Sequence, residues 1–204
     1  MKDRSNPTRP GSGFHRRDFL RGSGAAAAAT ALGTAPTAEA AENASRLYGP
    51  GLTKIKLRVN GGERELEVEP RMTLLEALRY GLNLTGAKPV SSDGSSGGST
   101  VLGDGKPVSA STTLALDVVD KDIRTVEGLG EDDAVVQAFV HNDGLQCGFC
   151  TPGFVVAVRA FLDKNPSATE EQIRAGLNGN ICRCGTYANV IQAALEVVKG
   201  GSRG

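Results

Sequence analysis

Residues 146–162 read Gln-Cys-Gly-Phe-Cys-Thr-Pro-Gly-Phe-Val-Val-Ala-Val-Arg-Ala-Phe-Leu. A Cys147-x-x-Cys150 pair runs straight into apolar residues at helical spacing: Phe154, Val155, Val158, Phe161 and Leu162. Between them, Thr151-Pro152 has the form of a helix N-cap followed by proline at the first helical position. Two thiols are therefore presented where a helix begins, and the positive end of the helix dipole favours the anion a thiolate makes. A second pair, Cys182-x-Cys184, follows after 31 intervening residues, and these four are all the cysteines in 204 residues.

Four cysteines are too sparse for a disulfide scaffold, and their clustering marks a site. A [2Fe–2S] cluster takes four thiolates, two per iron, so two close pairs on two loops suit it. Structural zinc takes four as well, and a disulfide or free thiols are the remaining readings; spacing alone does not separate them. Peptide N–H groups of residues 148–153, and from Gly185 onward, are placed to donate to sulfur. His141, the one histidine beyond the first forty residues, reads as a polar helix-end residue rather than a ligand.

Around this stretch the helical period continues. Val135, Val136, Phe139 and Val140 mark a preceding helix, and Ser167 with Glu170 makes a capping-box pattern for a helix through Ile173 and Leu177 that stops at Asn178-Gly179. Val190, Ile191, Ala194, Leu195 and Val198 mark a fourth, so residues 130–200 predict a small four-helix bundle. Before Gly128 the period is two. Ile55, Leu57 and Val59 alternate with polar residues, Asn60-Gly61-Gly62 turns the chain, and Leu66 and Val68 resume the alternation: a β-hairpin with one buried face. Thr73 opens a short helix to Tyr80, ending at Gly81. Residues 100–102 and 106–108 predict a second hairpin, and residues 123–126 a last strand. The fold class is α+β, a sheet-bearing half at residues 51–128 followed by the helical half.

The first forty residues are an address. Phe14-His15-Arg16-Arg17-Asp18-Phe19-Leu20 carries a twin arginine, residues 22–32 are small and weakly apolar, and Ala38-Glu39-Ala40 supplies a cleavage site after Ala40. The stretch resembles a twin-arginine export signal, a route that carries folded proteins. Thiolates loaded with a cofactor in the reducing cytosol then cross already ligated. Removing residues 1–40 leaves 17 basic against 20 acidic side chains. Zero net charge on the full chain, 4% aromatic residues and no tryptophan give neither the basic stripe nor the stacking platform of a nucleic-acid binder. No segment approaches the roughly 18 apolar residues a membrane span needs. No glycine-rich phosphate loop follows a strand, and no nucleophile stands with a base.

The two cysteine segments, Gln146-Cys147-Gly148-Phe149-Cys150-Thr151-Pro152-Gly153 and Gly179-Asn180-Ile181-Cys182-Arg183-Cys184-Gly185-Thr186-Tyr187, closely resemble the iron–sulfur subunit of the molybdenum hydroxylases, the xanthine dehydrogenase and aldehyde oxidase family. The resemblance runs from about Lys54 to Val198. It implies an N-terminal β-grasp, plant-ferredoxin-like domain followed by a four-helix domain, each holding one [2Fe–2S] cluster. It implies that Cys147, Cys150, Cys182 and Cys184 ligate the helical-domain cluster, which receives electrons first from a molybdopterin cofactor on a separate large subunit, with Gln146 and Cys184 approaching the pterin. Electrons leave such two-cluster subunits through the ferredoxin-like cluster toward a flavin subunit, a cytochrome or another acceptor. Substrates implied are aldehydes or N-heterocycles.

One departure is sharp. Plant-type ferredoxins place ligands as CxxxxCxxC with a later fourth cysteine, and at that spacing this chain has Ser91, Ser96, Ser99 and Ser111. A hydroxyl is a far weaker acid than a thiol of pKa about 8.5, so four iron alkoxides at neutral pH are very unfavourable. The expectation is no cluster there and a loop that has lost its tether and is mobile, its order set by local contacts alone. Electrons then depart directly from the helical-domain cluster, or outward transfer is impaired, or the serines were introduced deliberately. The competing function is a zinc-bound or metal-free scaffold for a large subunit.

Overall fold

The computed structural model describes residues 48–201; the export signal and the Ala40 cleavage site lie outside the described residues. Strand β1 (Thr53–Val59) pairs antiparallel with β2 (Gly62–Val68) in the register Val59 to Gly62 and Thr53 to Val68. The turn between them has Asn60 at φ +52° and Gly61 at φ +77°. Two positive φ values make the primed turn whose twist matches the strands, which is why Asn-Gly closes this hairpin. Ile55, Leu57 and Val59 are buried and Lys54, Lys56 and Arg58 exposed, as the alternation dictates.

Thr73 caps helix α1 (Leu74–Glu76) with a reciprocal capping box: its hydroxyl accepts from Glu76 N–H while the Glu76 carboxylate accepts from Thr73 N–H. The chain then widens into a π-helical turn, Ala77–Gly81, with Leu82 N–H donating to the Ala77 carbonyl at 3.0 Å. The helical stretch from Thr73 therefore ends at Gly81 as expected, in wider form; a Cβ on Gly81 would press against the Leu66 side chain. Strands β3 (Thr100–Gly103) and β4 (Lys106–Ser109) form the second hairpin around Asp104-Gly105. A 3₁₀ turn at Ala115–Val118, not anticipated, leads to β5 (Asp122–Arg124). β5 stops short of Val126, which starts another 3₁₀ turn, Val126–Gly128. The sheet order is β2-β1-β5-β3-β4, with β5 parallel to β1 and antiparallel to β3.

Helices α2 (Ala134–His141), α3 (Thr151–Lys164), α4 (Glu170–Gly176) and α5 (Tyr187–Gly201) follow. Two details differ from the sequence reading. The capping box of α4 is Thr169 with Gln172, not Ser167 with Glu170, since Thr169 has the extended backbone (φ −77°, ψ 164°) that lets its hydroxyl accept from Gln172 N–H. Val140, expected on the core face of α2, is 61% exposed, and Ala138 is buried instead.

Two apolar clusters result. One gathers Ile55, Leu57, Val59, Leu74, Leu78, Val101 and Ile123; the other gathers Val135, Phe139, Phe154, Val158, Ile173 and Val190. Strand β3 belongs to both: Val101 points into the first and Leu102 into the second, because successive residues of a strand face opposite sides. α3 packs on that second face, which brings the loop before β3 against the start of α3.

Candidate metal centre

The first cysteine loop joins α2 to α3. Gly144 N–H donates to the Phe139 carbonyl at 2.8 Å to close the end of α2, and Gly148 takes φ +80° so that the chain can turn back under α3. Cys150, not Thr151, is the N-cap: its carbonyl accepts the first helical bond, from Phe154 N–H at 3.1 Å, leaving Thr151 and Pro152 inside the helix. The Thr151 hydroxyl is buried beside it without a partner.

The second cysteine loop joins α4 to α5. Cys182 is buried, its N–H donates to the Tyr187 hydroxyl at 2.8 Å, and its sulfur lies 3.2 Å from the Thr186 hydroxyl. The Tyr187 ring meets Phe154 edge-on, centroids 5.9 Å apart, which ties the start of α5 to the first turn of α3. Gly185 takes φ +86°.

All four cysteines are free thiols, and they meet across the loops in two pairs, Cys147 with Cys184 and Cys150 with Cys182. Each pair has one sulfur that gives up its proton readily and one that holds it. Phe149 N–H and the Cys184 thiol lower the pKa of Cys147, whereas at Cys184 the N–H of Cys147 is outweighed by the Cys147 sulfur and the charges of Cys147 and Cys182. Burial pushes Cys150 up to about 12, reinforced by the Cys182 sulfur and its charge. Burial opposes ionisation of Cys182 too, but the Thr186 hydroxyl and N–H, the Cys150 thiol and Gly185 N–H bring it down to about 7. Of the peptide donors expected from the glycine-rich flanks, those of Phe149, Gly185 and Thr186 are aimed at sulfur. Among the described residues no three metal-ligating side chains are already closed into one group; the donors stand as two facing pairs. A centre with two metal ions and two thiolates on each matches that arrangement.

The pairs differ in access. Cys147 and Cys184 are exposed, as is Gln146, while Cys150 is half-buried and Cys182 buried. Leu145, Phe149, Ile181 and Tyr187, between 40% and 52% exposed, belong to the same two loops. His141 closes α2 and its Nδ1 lies 3.0 Å from a Glu196 oxygen, away from the cysteines in role. Thr186 and Tyr187 had no role assigned from the sequence; what marked them was only their place directly after Cys184-Gly185.

The serines come together as well. Ser91 and Ser96 hydroxyls are 2.8 Å apart, and Ser99 donates to Ser111 at 3.0 Å with Ser109 bonded to both. Ser91 and Ser111 line one cavity of about 260 Å³ with Arg79 and Tyr80. The expectation that only local contacts order this loop is corrected: its carbonyls also bond residues 180 and 181 of the second cysteine loop.

Residues 125–195, which include all four cysteines, match the family described as [2Fe-2S] binding domain, and residues 13–33 match the twin-arginine translocation pathway signal sequence. The chain is 38% identical to the aldehyde oxidoreductase iron-sulfur-binding subunit of Escherichia coli O157:H7, over 91% of this chain and 88% of that one. It is 38% identical to the nicotinate dehydrogenase small FeS subunit of Eubacterium barkeri, over 71% and 94%. Among solved structures, quinoline 2-oxidoreductase from Pseudomonas putida 86 superposes with a TM-score of 0.70 at 38% identity, covering 75% of this chain and 98% of that one.

Proposed function

Since the chain belongs to the small iron–sulfur subunits of the molybdenum hydroxylase family, we propose that it is the electron-transfer subunit of an exported oxidoreductase complex. Substrate oxidation, of an aldehyde or an N-heterocycle, belongs to a molybdopterin-binding large subunit, and a flavin subunit or a cytochrome is the acceptor. The observation that carries this reading is the pair of cross-loop thiol couples at the start of α3, one exposed and one buried. Cys147, Cys150, Cys182 and Cys184 would hold one [2Fe–2S] cluster, which supplies a one-electron relay.

The chain's own residues prepare that role. Phe149, Gly185 and Thr186 N–H groups and the Thr186 hydroxyl donate to sulfur and favour the thiolates a metal requires. Protons still held on Cys150 and Cys184 leave on loading. Tyr187 fixes the backbone of Cys182. Exposed Gln146 and Cys184 form the edge that approaches the partner's pterin, and Leu145, Phe149 and Ile181 form the apolar rim that the large subunit covers. The twin-arginine signal accounts for loading before export.

In this reading residues 1–40 are the signal, cut after Ala40; residues 51–128 are a β-grasp domain without a cluster, and residues 130–200 the cluster-binding four-helix domain. Ser91, Ser96, Ser99 and Ser111 stand at the lost ligand positions. The test is affinity purification of the tagged chain from the periplasm with metal analysis. The expected result is a co-purifying molybdenum-containing chain and two irons with two sulfides per small subunit; a colourless chain with zinc and no molybdenum partner overturns the proposal.

A further inference from the structure

The serine loop is too well connected to be a vestige. Its hydroxyls satisfy one another and the loop backbone: Ser96 N–H donates to Ser91 Oγ at 3.1 Å, Gly98 N–H to Ser96 Oγ at 3.3 Å, and Ser111 N–H to Ser99 Oγ at 3.3 Å. Together with the two hydroxyl pairs, these bonds cross-link residues 91–111 without a metal.

The loop then reaches both cysteine segments. Ser96 carbonyl accepts from Ile181 N–H at 3.0 Å, and Gly97 carbonyl accepts from the buried Asn180 side chain at 3.0 Å. Asn180 and Ile181 directly precede Cys182. On the other side, a Cβ at Gly153 would run into the Gly97 carbonyl oxygen, so the first turn of α3, three residues past Cys150, is packed on the same peptide. Gly97 itself, at φ +67°, leaves no room for a side chain against Gly179 and Asn180. The single peptide stretch 96–98 therefore touches the segments carrying Cys150 and Cys182, which form the less exposed thiol pair. Among the described residues the contacts of this stretch fall beside Cys150 and Cys182 rather than beside the exposed pair, Cys147 with Cys184.

We infer that the serine loop is a metal-free brace: its hydroxyl cross-links hold residues 96–98, and these set the separation of Cys150 and Cys182, with Asn180 as the positioning residue between loop and site. The inference rests on the proposed cluster and adds a role for the half of the chain that has lost its own. The sheet-bearing half is kept because it shapes the buried side of the remaining site.

The experiment uses the purified complex. Asn180→Asp, which keeps the shape but as a carboxylate presents no donor to the Gly97 carbonyl, and the double variant Ser91→Ala/Ser99→Ala are compared with Ser95→Ala, whose hydroxyl donates to Asp93. The readouts are the rate at which a ferrous chelator strips iron and the paramagnetic spectrum of the reduced protein. Asn180→Asp and the double variant are expected to lose iron faster, on the order of tenfold for one buried hydrogen bond, with altered line positions, while Ser95→Ala matches the parent. Unchanged iron loss and spectra overturn the brace, and so does a lower melting temperature with both unchanged, which is a purely structural effect. Either result leaves the proposed function standing, because that is read separately from the metal content of the parent complex.

Discussion

Replacing Tyr187 by Phe removes one oxygen and little else, and the structure sets what that oxygen is worth. The Tyr187 hydroxyl accepts the N–H of Cys182 at 2.8 Å, and Cys182 is 6% exposed. A buried N–H left without an acceptor costs about 1–3 kcal/mol. Tyr187 is 40% exposed, so water reaches the hydroxyl side and the cost falls at the low end, about 1 kcal/mol. The edge-on contact with Phe154 survives in the Phe variant, so no cavity opens. For a folded body of this size that is a fall of roughly 2–4 °C in melting temperature, followed by circular dichroism on the full chain. Tyr187→Ala also forfeits the ring contact, about 0.5–1.5 kcal/mol beyond its buried area, and must fall further. A Phe variant that melts with the parent, or as low as the Ala variant, refutes the assignment of the hydroxyl as the acceptor that fixes Cys182.

Three other outcomes follow from particular contacts. Thr186→Val removes the hydroxyl beside the Cys182 sulfur; a lost hydrogen bond to sulfur disfavours the more negative reduced state, so the midpoint potential falls in a redox titration, and a rise contradicts the role. Glu76 has its pKa lowered by Thr73 N–H and hydroxyl, so its contribution is present above the unfolded carboxylate value and lost as pH falls through the depressed one. Glu76→Gln is therefore less stable than the parent at neutral pH, and the gap in denaturant midpoint closes on acidification; a gap that widens refutes the sign. Gly176→Ala, inside α4, would gain about 0.5–1 kcal/mol from helix propensity alone, but its Cβ meets the Phe161 ring. Overpacking of about 1–3 kcal/mol wins, and the melting temperature drops rather than rises.

Legibility in the sequence followed the range of the interactions. The Thr53–Val68 hairpin was readable because Asn60-Gly61 and strict alternation are local signals that agree. The two cysteine pairs were readable for the same reason, each being a short motif beside a helix start. Cap positions slipped: Ser167 and Thr169 both stand three residues before a residue able to complete a capping box, and only the backbone angles choose between them. The π turn after Glu76 has no local signature, because its apolar residues keep helical spacing, and the closeness of Gly81 to Leu66 of β2 is a tertiary contact. What the sequence hid most completely was the bonding of the Ser96 and Gly97 carbonyls to residues some 83 positions away. Backbone acceptors carry no side-chain signature, and the small residues Gly97, Gly98 and Gly153 were the only trace of that contact.

We propose one cluster on the four cysteines and none on the four serines. Spin integration of the fully reduced complex by electron paramagnetic resonance tests it most directly, since each reduced [2Fe–2S] cluster contributes one unpaired spin. A single species integrating to one spin per small subunit is expected; two species integrating to two spins, or no signal from an iron-free chain, would overturn the proposal.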